Sequence, residues 1–142
     1  MAELSIQWVL MIMIGICGIQ DMLKKKIYLW LVIFGALFII VCIPFCQSYG
    51  LLDRLAGFSI GAVIIVVSIA TSGKIGLGDG ILLCVTGVGL GFWSNLELFA
   101  IALTFAAIIS IGLLTFRLAD RKKAIPFVPF LFIAYLFVFF SK

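Results

Sequence analysis

The chain has 142 residues, of which 65% are hydrophobic and only 11% charged, with a mean hydropathy of +1.39. A soluble domain is typically about half apolar and about a quarter charged, so a water-soluble globule is excluded. The expected fold class is an all-α polytopic membrane protein, a single transmembrane domain over 1–142. The net charge of +4 does not point to nucleic acid, because the basic residues sit in short turns beside apolar runs, where lipid headgroups and topology account for them.

Six apolar runs approach the length needed to cross about 30 Å of hydrocarbon: 4–20, 27–47, 55–71, 78–93, 96–116 and 126–140. The first is preceded by Glu3 rather than a basic segment, and no A-x-A site follows it. It is therefore expected to be a retained span rather than a cleaved signal. The fourth and sixth runs are short, and the fourth is interrupted by Gly87, Gly89 and Gly91.

The connections between runs are asymmetric. Lys24, Lys25 and Lys26 follow the first run, Lys74 the third, and Arg117, Arg121, Lys122 and Lys123 the fifth, so one side holds eight of the ten basic residues. The other side carries only Arg54 and Lys142, beside Glu3, Asp53 and Glu97. The positive-inside rule puts the basic turns in the cytoplasm and both termini outside.

The four cysteines, Cys17, Cys42, Cys46 and Cys84, lie inside apolar runs with no CxxC pair, so zinc is not expected. Cys42 and Cys46 are spaced to share a helix face and read as small buried residues. No metal and no cofactor is implied.

Of the six acids, Glu3, Asp53, Glu97 and Asp120 read as solvated loop or terminal residues. Asp21 ends the first run and Asp79 begins the fourth, which puts both at the cytoplasmic edge. Two carboxyl groups sharing one site do not both ionise freely. One stays protonated and can hydrogen-bond a scissile carbonyl, while the ionised one takes a proton from water. They titrate as a pair. For each residue alone a plainer role is open: Asp21 as a polar helix end beside three lysines, Asp79 as the N-cap of the fourth run. A carboxylate at membrane depth is nonetheless a functional candidate by default.

Gly76, Gly78 and Gly80 surround Asp79. Glycine lets another backbone come close, which a peptide lying extended beside Asp79 requires. A turn followed by small-residue helix packing explains the same glycines.

Gly76-Leu77-Gly78-Asp79 resembles the GxGD signature of intramembrane aspartyl proteases. Two further stretches resemble the type IV prepilin peptidase family in particular. One is Asp21 with Lys25 four residues later and Ile27 after that; the other is Ile125-Pro126-Phe127-Val128-Pro129-Phe130-Leu131. The three stand in the family's order and span nearly the whole chain. The resemblance implies a membrane-embedded aspartic endopeptidase in the bacterial cytoplasmic membrane, cleaving the leader of prepilin-like proteins at the cytoplasmic face. It implies Asp21 and Asp79 as catalytic, with Lys25, Gly76, Gly78, Gly80, Pro126 and Pro129 contacting substrate or shaping its path. No paired CxxC region is present, so the likeness is to the short, peptidase-only form. Tyr28 and Leu29 stand where the family usually has Pro-Asn, Ile81 where it has lysine, and Val128 where it has glycine. These departures bear on substrate contacts more than on the aspartates. The expected partners are a prepilin-like protein and the lipid bilayer, with no nucleic acid. Because leader and turns are both basic, the substrate's hydrophobic helix is expected to dock between spans.

Three other readings fit the same residues: a GxGD protease with another substrate, a small transporter or channel using Asp21 and Asp79 for ions or protons, and a non-catalytic assembly subunit.

Overall fold

A computed structural model of the chain describes residues 2–24, 27–46, 49–72, 76–116 and 125–141. Among these the chain is all-helical. The helices are α1 (Ala2–Lys24), α2 (Leu29–Cys42), α3 (Leu51–Ala70), α4 (Leu77–Leu90), α5 (Phe92–Thr115) and α6 (Val128–Ser141), with one 3-10 turn at Ile43–Phe45. Each apolar run yields one helix. Pro44, which lacks a backbone donor, sits in the 3-10 turn and closes α2. Cys42 and Cys46 therefore do not share a helix: Cys42 ends α2 and Cys46 lies beyond the turn.

Three helices, α1, α3 and α5, are long and apolar enough to cross a membrane. Helices α2, α4 and α6 have 14 residues each, or about 21 Å at 1.5 Å per residue. The shortness of α4 has a packing counterpart. It touches α1, α2, α3 and α5, and eight of its residues are buried. A helix enclosed by helices meets little lipid and need not match its thickness.

The tightest packing is between α3 and α4. A Cβ on Gly57 would run into the Gly87 carbonyl, one on Gly87 into the Gly57 carbonyl, and one on Gly61 into the Cys84 amide nitrogen. The two backbones meet directly through these small residues, as membrane helices do when no solvent drives them together. Asn95 of α5 ties the contact off. Its Nδ2 donates to the carbonyls of Gly57 and Leu83, both at 3.1 Å, and its Oδ1 accepts from Thr86 Oγ1 at 2.7 Å. Asn95 and Thr86 are fully buried, and in a low dielectric such a satisfied network is strong.

Several boundaries differ from the sequence expectation. Ser94 and Asn95 look like a polar break, yet both are buried inside α5. The break is at Gly91, whose φ of +79° only glycine adopts without strain. Likewise α3 begins at Leu51, so Asp53 and Arg54 belong to its first turns rather than to a loop, and Glu97 belongs to α5. Arg54 is 3% exposed and donates to the Val88 carbonyl at 2.7 Å. It packs over the Tyr49 ring. The long side chain bridges α3 to the last turns of α4 instead of marking a membrane face. The basic turn residues Lys25, Lys26, Lys74, Arg117, Arg121, Lys122 and Lys123, with Asp120, lie outside the described residues.

Helices α1 and α6 run antiparallel. Tyr135 Oη donates to the Gln7 carbonyl at 2.8 Å, Trp8 meets Phe139 edge-on at 5.9 Å, and Gly18 faces Pro129. Helices α1 and α4 are also antiparallel, with Gly89 against Leu10. The C-terminal end of α1 thus meets the N-terminal ends of α4 and α6 at one end of the bundle.

Candidate active site

Asp21 and Asp79 come together at that end. Asp21 lies in the last turns of α1 and Asp79 in the first turn of α4, both half-buried. Their carboxyl groups are within electrostatic reach of each other. The adjacency follows from the direct packing of α1 on α4.

Asp79 is not the N-cap of α4. Gly76 holds that position, Asp79 N–H donates to the Gly76 carbonyl at 3.2 Å, and Asp79 is the third helical residue. Its carboxylate folds back toward Gly76, where a Cβ would come within 2.7 Å of Oδ2. Acids in a first turn are favoured by the exposed amide groups and the helix dipole, so the sequence supports this local geometry without a side-chain cap.

Asp21 is tied to the start of α6. Val128 N–H donates to Asp21 Oδ2 at 3.3 Å. The first-turn donors of α6 can be counted completely. Pro129 has none, and the amides of Phe130 and Leu131 donate to the Phe127 carbonyl. Val128 N–H remains, and Asp21 accepts it. The carboxylate thereby serves as the acceptor that a helix N-terminus requires, supplied from another helix. Pro129, not Pro126, falls in the first turn of α6; Pro126 precedes the helix.

Ile27 lies over the first turn of α4. The three atoms nearest to a Cβ placed on Gly78 all belong to Ile27, with Cδ1 at 2.6 Å. Tyr28 bonds to α1. Its N–H donates to Gln20 Oε1 at 3.3 Å, and Lys24 Nζ donates to Tyr28 Oη at 2.9 Å while lying over the ring. Tyr28, one of the departures from the family pattern, therefore ties the start of α2 to the last turns of α1.

The remaining expected site residues divide. Gly76 and Gly78 sit beside Asp79. Gly80 is buried and faces α3, where a Cβ would meet Ile65 Cγ1 at 2.6 Å; its missing side chain serves helix packing. Lys25 lies outside the described residues. The sequence gives no site role to Gln20, Lys24, Tyr28 or the Val128 amide; Tyr28 and Val128 enter it only as departures from the family pattern. Only the i, i+4 spacing of Lys24 and Tyr28 could have hinted at them. Among the described residues no three of Cys, Asp and Glu gather as metal ligands would. Open grooves of about 440 and 330 Å³ lie between α5 and α6, lined around Phe105 and Phe137, and neither aspartate lines them.

Comparison of the chain with protein-family models, with curated proteins and with solved structures yields no match.

Proposed function

We propose that this protein is a six-span aspartic endopeptidase of the bacterial cytoplasmic membrane. In this reading both termini are outside, and the enzyme cleaves the leader of prepilin-like proteins at the cytoplasmic face. The observation that carries the reading is the meeting of Asp21 with Asp79 at the one end of the bundle where all three family-like stretches converge. Asp21 bonds to Val128, Ile27 covers Gly78, and Asp79 feels the charge of Asp21. Contacts between residues so distant in sequence are not required by a string of apolar helices.

The pair supplies acid–base catalysis. One carboxylate removes a proton from water as it attacks the scissile carbonyl, while the other carboxylic acid gives its proton to the carbonyl oxygen; the proton taken from water then passes to the leaving amine, and as the C–N bond breaks the gem-diol hydroxyl returns a proton to the second carboxylate. The Val128 amide and the first turn of α4 hold the two groups in place. The basic turns then lie on the cytoplasmic side, beside the leader's entry. Arg54, being buried, drops out of the charge count on the opposite side, which sharpens the bias.

One observation favours a second reading. The Asp21–Val128 bond gives Asp21 a structural use, as a non-catalytic assembly subunit would have. Co-expression with a prepilin separates the two. The wild type should shorten the prepilin and Asp79→Asn should not. A prepilin left at full length by the wild type would remove the peptidase reading.

A further inference from the structure

Gly78 differs from the glycines that close the α3–α4 contact. Gly57, Gly61 and Gly87 each face backbone atoms of a neighbouring helix, so no side chain fits there at all. Gly78 faces the tip of one flexible side chain, with Ile27 Cδ1, Cγ1 and Cβ at 2.6, 3.4 and 3.5 Å from a Cβ on Gly78. The absence of a side chain at Gly78 is therefore not demanded by helix packing. Ile27 is on irregular backbone between α1 and α2, partly buried against the core. It is held in place through its neighbour Tyr28 by two solvent-exposed hydrogen bonds, to Gln20 and from Lys24. It belongs to no helix.

We propose that Ile27 is a substrate-contacting residue that occupies, in the free protein, the path of the peptide past Gly78 to Asp79, and that the substrate strand displaces it. The inference rests on the peptidase reading. An extended peptide reaching Asp79 along the first turn of α4 has to pass Gly78, and Ile27 fills that space. The Gln20–Tyr28–Lys24 clasp sets how readily the side chain leaves.

Two measurements test this. In the first, cleavage kinetics compare wild type with Ile27→Ala and Ile27→Phe. Ile27→Ala should lower KM several-fold with kcat little changed, because less side chain has to move, and Ile27→Phe should raise KM. A merely structural Ile27 gives the opposite result, in which Ile27→Ala loses melting temperature and kcat/KM together. In the second, Ile27→Cys is placed in an Asp79→Asn background, and thiol labelling above the parent is followed with a membrane-permeant maleimide. Prepilin should accelerate labelling several-fold as the side chain leaves Gly78. Labelling unchanged by prepilin, in a protein whose wild type cleaves it, overturns the inference alone. A wild type that neither cleaves nor responds to prepilin overturns the peptidase reading along with it.

Discussion

Asp21 and Val128 are joined by a hydrogen bond between the end of the first helix and the start of the last, with the Val128 amide donating to Asp21 Oδ2 at 3.3 Å. A catalytic candidate thus also completes the donor count of a helix terminus. The two duties can be pulled apart by substitution. Asparagine keeps an acceptor oxygen for Val128 but cannot take or give the proton. Alanine removes both.

Asp21→Asn should therefore melt close to wild type and lose cleavage. Asp21→Ala should lose cleavage and also stability, by about 0.5–2 kcal/mol, the usual cost of removing a helix-end acceptor. Thermal melting in detergent alongside a cleavage assay checks both. Equal melting of the two variants would remove the capping role.

The glycines should respond according to what they face. Gly78→Ala displaces only the Ile27 tip, so melting should change little while cleavage falls sharply. Gly57→Ala and Gly87→Ala would force a methyl group into a backbone carbonyl. They should lose about 1–3 kcal/mol or more, as overpacked sites do, with activity falling as the folded fraction falls. The same melting and cleavage assays on all three variants decide. A Gly78→Ala protein with full cleavage would contradict the path assigned to the substrate.

Asn95 should matter for stability although no motif contains it. Asn95→Leu leaves the Gly57 carbonyl without its buried donor, at a cost of about 1–3 kcal/mol. Thr86→Val should cost less than Asn95→Leu, because Asn95 keeps both of its donor contacts. Chemical or thermal unfolding of the two variants gives the ranking, and a milder Asn95→Leu would overturn it.

These contrasts show what the sequence could and could not carry. Six apolar runs gave six helices because hydrophobic continuity dominates in a chain this greasy. The ends were misplaced wherever a polar side chain found its partner inside the bundle. Arg54, Ser94 and Asn95 read as loop residues, since a linear scan treats charge and amide as solvent-seeking. Only the three-dimensional packing reveals the Val88, Gly57 and Leu83 carbonyls to which Arg54 and Asn95 donate. Asp21 and Asp79 stood out because acids are costly at membrane depth. That α1 neighbours α4, and that α6 begins against Asp21, follows from interhelix packing that periodicity does not encode. Gly80 looked like Gly78 in sequence, yet it faces the neighbouring helix while Gly78 faces a loop.

Orientation is open to direct labelling. Lys25→Cys and Lys122→Cys should be shielded from an impermeant maleimide in intact cells, whereas Gly50→Cys, at an exposed position with no atom within 4 Å of its Cβ, should react. Labelling of Lys25→Cys from outside would invert the topology and move the aspartates to the wrong face for a cytoplasmic leader.

The most direct test of the paired carboxylates is the initial rate of leader cleavage by the purified protein in proteoliposomes, for wild type, Asp21→Asn, Asp79→Asn and the double variant. Groups that act as one unit are strongly non-additive. Each single variant should fall to background, and the double variant should be no slower than either. A single variant that keeps more than about a tenth of the wild-type rate, while inserted at the wild-type level, would contradict the account.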